Sequence, residues 1–144
     1  MIVAPLRNFA IVLLCCAGCV AGAGERVDPA APVVDDTPAA LAQRQLEAYN
    51  RRDIDAFLAV YNDDVEVYDY PGRLVYRGKE AMRARYLKRF EATNLHCDLL
   101  HRIVRGNVVI DDERVVGISA AGPIEATVIY TVAGGRIVRV EFIP

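Results

Sequence analysis

The sequence predicts an α+β domain in which helices pack on one face of a curved antiparallel sheet. Three observations carry this. Apolar residues recur every three to four positions in two stretches, 37–61 and 79–90. Residues 65–70 alternate with a period of two. From residue 96 onward, β-branched runs are separated by Gly-containing turns. Helical periodicity concentrated early and strands concentrated late is the signature of helices segregated against an antiparallel sheet.

Thr37-Pro38 opens the first helix, an N-cap followed by proline at the first helical position. The helix is expected to run to about Asn50, with Ala42, Leu46 and Tyr49 as its inner stripe. Asp53 caps a second, shorter helix whose apolar side is Ile54, Phe57, Leu58 and Tyr61, and Asn62-Asp63-Asp64 ends it. In the strand Val65–Tyr70, Val65, Val67 and Asp69 share one face and Glu66, Tyr68 and Tyr70 the other. Pro71-Gly72 closes that strand. A third helix, Lys79–Phe90, presents Met82, Tyr86 and Phe90. The remaining strands are His96–Arg105, Val108–Ile118, Ile124–Val132 and Arg136–Ile143, with hairpin signals at Gly106-Asn107 and Gly134-Gly135.

A 144-residue chain with 53% apolar and 25% charged residues has the length and composition of one globular domain. Its net charge of −2 argues against a dedicated nucleic-acid binder, which needs a basic surface to neutralise phosphates. Residues 1–23 have the pattern of an export signal: Arg7 as the only charge, a short apolar run from Phe9 to Val20, and the small-x-small site Ala21-Gly22-Ala23. The run is shorter than the roughly 20 residues of a spanning helix. Two processing routes stay open. One is cleavage after Ala23. The other uses Cys16-Ala17-Gly18-Cys19, which resembles a lipoprotein box with Cys19 lipidated, although the usual leucine is replaced by Cys16. The expected location is therefore outside the cytoplasm, periplasmic or anchored to the envelope by lipid, otherwise secreted, and a lipid anchor is the expected route to a membrane. Residues 24–36, rich in Ala, Pro, Val and Asp, read as a linker, and 37–144 as the domain. Of the four cysteines, Cys15, Cys16 and Cys19 lie in the leader, so Cys97 is the one certain thiol of the mature chain and has no internal disulfide partner. It reads as a small core hydrophobe.

The stretch QLEAYNRRDIDAFLAVYNDDVEVYD, residues 45–69, and the later order of Gly78-Lys79-Glu80 opening a helix before long strands resemble the SnoaL-like, nuclear-transport-factor-2-like superfamily. The resemblance covers about residues 37–144. It implies a cone in which three helices close a bent sheet around one apolar pocket, and pairing of two copies through the outer sheet face. The superfamily includes ketosteroid isomerase-like enzymes, polyketide cyclases, dehydratases and non-catalytic binding domains, so it does not choose a function.

Asp69 is the candidate catalytic residue. It shares its face with Val65 and Val67, and a carboxylate there must be hydrogen-bonded, paired or protonated. Burial would raise its pKa toward that of a general base. By resemblance it also matches the general-base aspartate of ketosteroid isomerase-like proteins. The alternative is a strand-end cap or an ion pair with Arg73 or Arg77. The superfamily's oxyanion tyrosine and its protonated aspartate fall at Gln45 and near Val128, which argues against classical steroid isomerisation. Tyr49 and Tyr130 are the tyrosines available as substitutes. With Phe57, Val67 and His101, which shares a face with Leu99 and Ile103, they are the expected ligand-binding residues. His96 and His101 fall on opposite strand faces, so no metal site is expected, and no cofactor. Asp111-Asp112-Glu113 splits across two faces and reads as a solvated strand middle or turn, while Glu125 and Glu141 are candidates for a second pocket carboxylate. The readings, in order, are an exported domain that binds a small apolar or aromatic molecule, an isomerase- or lyase-like enzyme using Asp69, and a homodimerisation domain.

Overall fold

The computed structural model describes residues 35–143. The leader, Cys19 and most of the linker lie outside the described residues. Three helices and six strands follow in the order α1 (Pro38–Arg51), α2 (Ile54–Ala59), β1 (Tyr61–Asp69), β2 (Arg73–Arg77), α3 (Lys79–Phe90), β3 (His96–Arg105), β4 (Val108–Val116), β5 (Ile124–Ala133) and β6 (Arg136–Ile143). The Thr37 hydroxyl caps α1 by accepting from the Ala40 N–H, and the Asp53 carboxylate caps α2 by accepting from the Ala56 N–H. Between the two helices Arg52 is left-handed, with φ 57°, and its guanidinium donates to the carbonyls of Ala92 and Thr93 at the end of α3.

The strands form one sheet in the order β2-β1-β6-β5-β4-β3. Every neighbouring pair is antiparallel except β1 and β6, which run parallel from Tyr61↔Ile137 to Asp69↔Phe142. The sheet is therefore mixed rather than wholly antiparallel. The strand β2 is absent from the sequence reading. Pro71-Gly72 turns the chain back instead of ending the sheet: Gly72, at φ 126°, donates its N–H to the Asp69 carbonyl, and β2 pairs along β1. At the other end β4 stops at Val116, and Gly117 follows at φ 85°, where a side chain would meet the Leu95 backbone at 2.8 Å.

The core lies between the helices and the inner sheet face. Leu41, Phe57, Val65, Val109, Val128 and Ile137 are wholly buried there. Phe57 stacks on Tyr86 at 4.4 Å between ring centres, and both contact Tyr49 and Phe90. Only Gln45, Asp111 and Glu113 bring polar or charged side chains fully into this core among the described residues.

Candidate functional site

On β4 the inward positions are Val109, Asp111, Glu113 and Val115, all buried. Two valines thus bracket two acids on a single face. Each acid is buried with its own partners. Asp111 receives a bidentate pair of hydrogen bonds from Arg102 on β3, Nε to Oδ1 and Nη2 to Oδ2, both 2.7 Å. The same guanidinium donates to Gln43 on α1 at 3.1 Å, so it ties helix to sheet. Among the described residues Glu113 has no cation in contact. It accepts from the Tyr130 hydroxyl at 3.2 Å and from the Cys97 thiol. Tyr130 in turn accepts from Gln45 Nε2 at 2.9 Å. A buried relay, Gln45 to Tyr130 to Glu113, thus joins α1, β5 and β4.

The partners set the charge. Burial disfavours the carboxylate of Glu113, and the Asp111 charge adds to this, so its pKa is raised to about 7 against the favourable pull of its two donors and Arg102. Burial, followed by the Glu113 charge, keeps Tyr130 a neutral hydroxyl well above its usual range. Burial does the same to the Cys97 thiol. The Cys97 backbone is held by Asn50, whose amide exchanges hydrogen bonds with the Cys97 N–H and carbonyl at 2.8 and 2.9 Å.

Glu113, Tyr130, Gln45 and Cys97 line a cavity of about 340 Å³. Its walls are Tyr61, Val67, Val115, Val140 and Phe142, and its mouth carries Asp69 from β1, Tyr76 from β2, and Arg85 and Arg89 from α3. This is a concave, mostly apolar site with a few convergent polar groups, the usual form of a small-molecule pocket.

The expected residues fall as follows. Tyr49, Val67 and Tyr130 line the cavity. Asp69 lines it too, at the mouth; its side chain is 37% exposed and accepts from Arg73. Phe57 does not reach it, being buried behind Tyr61 and Tyr86 in the aromatic cluster. His101 is corrected to the outside, with an 81% exposed side chain near Asp112. The cause is a register shift in β3 between Leu99 and His101. Cys97 and Leu99 point inward as alternation requires, but the bulge hands the next inward place to Arg102. Glu125 and Glu141 pair with Arg114 and Arg139, and neither lines the cavity. Glu113 was missed, although valines at 109 and 115 with the same parity are a sequence signal that this face is buried. Among the described residues no three His, Cys, Asp or Glu side chains gather as a metal site.

The family model of the SnoaL-like domain matches residues 42–140. The chain belongs to the SnoaL-like domain family. Solved structures agree on the fold. A cystatin-fold protein of Novosphingobium aromaticivorans is 26% identical, with TM-score 0.69, over 75% of this chain and 98% of that one. A computationally designed 17-OHP binder is 18% identical, with TM-score 0.62, over 74% and 92%. An epoxide hydrolase of M. tuberculosis, described as LEH-like, is 15% identical, with TM-score 0.62, over 74% and 80%. No curated protein matches the chain. The SnoaL-like domain therefore has the expected nuclear-transport-factor-2-like architecture, and its neighbours include both a binder and an enzyme.

Proposed function

We infer that this SnoaL-like domain binds a small, largely apolar or aromatic molecule in its cavity, with Glu113 and Tyr130 meeting the ligand's polar end. The observation that carries the reading is the pocket itself: about 340 Å³ of mostly apolar and aromatic wall ending on the Glu113–Tyr130–Gln45 relay. Burial of an aromatic body supplies affinity, and a few fixed polar groups supply orientation. Calorimetry with 2-naphthamide, an uncharged bicyclic probe, tests it. Binding is expected in the wild type and should be lost in Val67→Phe, which fills the wall while remaining apolar. Absence of binding in the wild type at millimolar probe, or undiminished binding in Val67→Phe, would overturn the reading.

A second reading is proton transfer on the bound molecule. It is favoured by a buried carboxyl whose pKa of about 7 suits either direction of transfer. Glu113 is the better-placed acid or base. Asp69 is the alternative at the mouth, with its charge engaged by Arg73. Loss of ligand proton exchange in Glu113→Gln, with binding retained, is the signature of this chemistry. Retention of exchange there and its loss in Asp69→Asn would move the role to Asp69.

The leader pattern supports export, with a mature terminus at Cys19 or Gly24. An intact Met1 in the mass spectrum of the host protein would refute it.

A further inference from the structure

The mouth of the cavity holds two cations that form no ion pair among the described residues. Arg85 and Arg89 stand one turn apart on α3, so their side chains rise from the same face. Both line the cavity. The Arg85 guanidinium lies over the Tyr76 ring at 4.6 Å and that of Arg89 over the Tyr86 ring at 5.1 Å. Stacking on a ring uses the guanidinium face and leaves its N–H edge free. Among the described residues neither arginine makes an ion pair, whereas Arg44, Arg73, Arg77, Arg83 and Arg102 all do. The carboxylate that shares the mouth, Asp69, is engaged by Arg73.

A third donor points the same way. The Tyr49 hydroxyl is buried without a hydrogen-bond partner, on a residue only 6% exposed that lines the same cavity. The Arg89 guanidinium beside it is itself a donor directed at the hydroxyl oxygen, so among the described residues the hydroxyl proton has no acceptor. A buried hydroxyl with nothing to bond is uncommon and costly. An acceptor supplied by a ligand would satisfy it. Two guanidinium edges at the rim and, inside it, one buried hydroxyl without an acceptor make a donor-rich entrance to an apolar, aromatic interior.

We propose that the ligand of this cavity is a small organic acid, an apolar or aromatic body whose carboxylate is held at the mouth by Arg85, Arg89 and the Tyr49 hydroxyl. This rests on the binding reading above and specifies its substrate class. The body lies against Val67, Val115 and Phe142. Whatever hydroxyl or carbonyl the far end carries meets Glu113 and Tyr130.

The test is a matched pair of probes, 2-naphthoate and 2-naphthamide, which share one ring system and differ in charge. Charge-assisted hydrogen bonds are the stronger kind, and the expected preference for the acid is about tenfold at low salt, shrinking as salt is raised. It should disappear in Arg85→Gln/Arg89→Gln. Tyr49→Phe should weaken the acid several-fold and the amide less, because a carboxylate is the stronger acceptor. Both arginines are exposed, so the double variant retains the core, and the amide confirms that its pocket is intact. Equal affinity for the two probes, or a preference that survives the double variant, overturns the proposal while the binding reading stands. If neither probe binds the wild type, both fall together.

Discussion

Glu113 illustrates how far one side chain is governed by its surroundings. Its neighbours come from every element around it: Asp111 beside it on β4, Cys97 and Arg102 on β3, Tyr130 on β5, Tyr61 on β1 and Tyr86 on α3. Burial is the largest influence and raises the folded pKa to about 7 from 4.5. The folded state therefore holds this proton more tightly than the unfolded chain. Its contribution to stability is whole below about pH 4.5 and is lost as pH rises to about 7. The loss is about 3 kcal/mol, on the scale of 1.4 kcal/mol per pKa unit. Glutamine has the same shape, still accepts from Tyr130 and does not ionise. Denaturant midpoints for Glu113→Gln and wild type should be similar at pH 5, with the variant the more stable at pH 8. A difference that does not change with pH would show that Glu113 ionises in the fold as freely as in water. The sequence hid this residue because acids on a strand usually face water. Parity placed Asp111 and Glu113 together, but residue type outweighed the flanking valines. Tyr49, Val67 and Tyr130 were legible because apolar periodicity alone points them inward.

Among the elements, β3 decides most of what alternation alone gets wrong. Its limits, and those of β6, match the hydrophobic pattern residue for residue, yet one bulge turns His101 out and Arg102 in. A bulge of this kind leaves no mark in composition. The strand β2 escaped notice for another reason: five residues beginning and ending in arginine offer too little alternation to read, and only pairing with β1 makes them a strand. What the bulge achieves is the Arg102–Asp111 pair, with Asp111 at 0% exposure. Replacing a buried pair by apolar groups is often harmless, but removing one partner strands the other charge. Arg102→Leu should therefore lower the unfolding free energy by about 3–5 kcal/mol, and Arg102→Leu/Asp111→Leu should recover much of it. Chemical denaturation of the two variants measures this. A single variant as stable as wild type would mean that Asp111 finds another partner.

For the whole molecule, the outer sheet face governs what the domain does with its surface. Register places Ile103, Ile110 and Ile129 in one row across β3, β4 and β5, continued by Glu141, Tyr68 and Leu74. Ile103 is 60% exposed and Leu74 49%. Charged residues border the row: His101 and Asp112 on one side, Arg105 and Arg139 on the other. An apolar row with a polar border suits self-association. The reading we propose is a homodimer through this face. Sedimentation at micromolar concentration should give twice the monomer mass, and Ile129→Lys should halve it. A wild type that sediments only as the monomer would remove the dimer.

The parallel contact of β1 with β6 ties residue 61 to residue 137. A ribosome that has delivered everything through β5 has produced a strand, β1, whose inner neighbour is still unmade. Nearly the whole domain must therefore be synthesised before the sheet can close. Pairings so distant along the chain also slow folding. Under the export reading proposed above, that delay would be useful: it prolongs the interval in which the chain is still loose enough to be threaded.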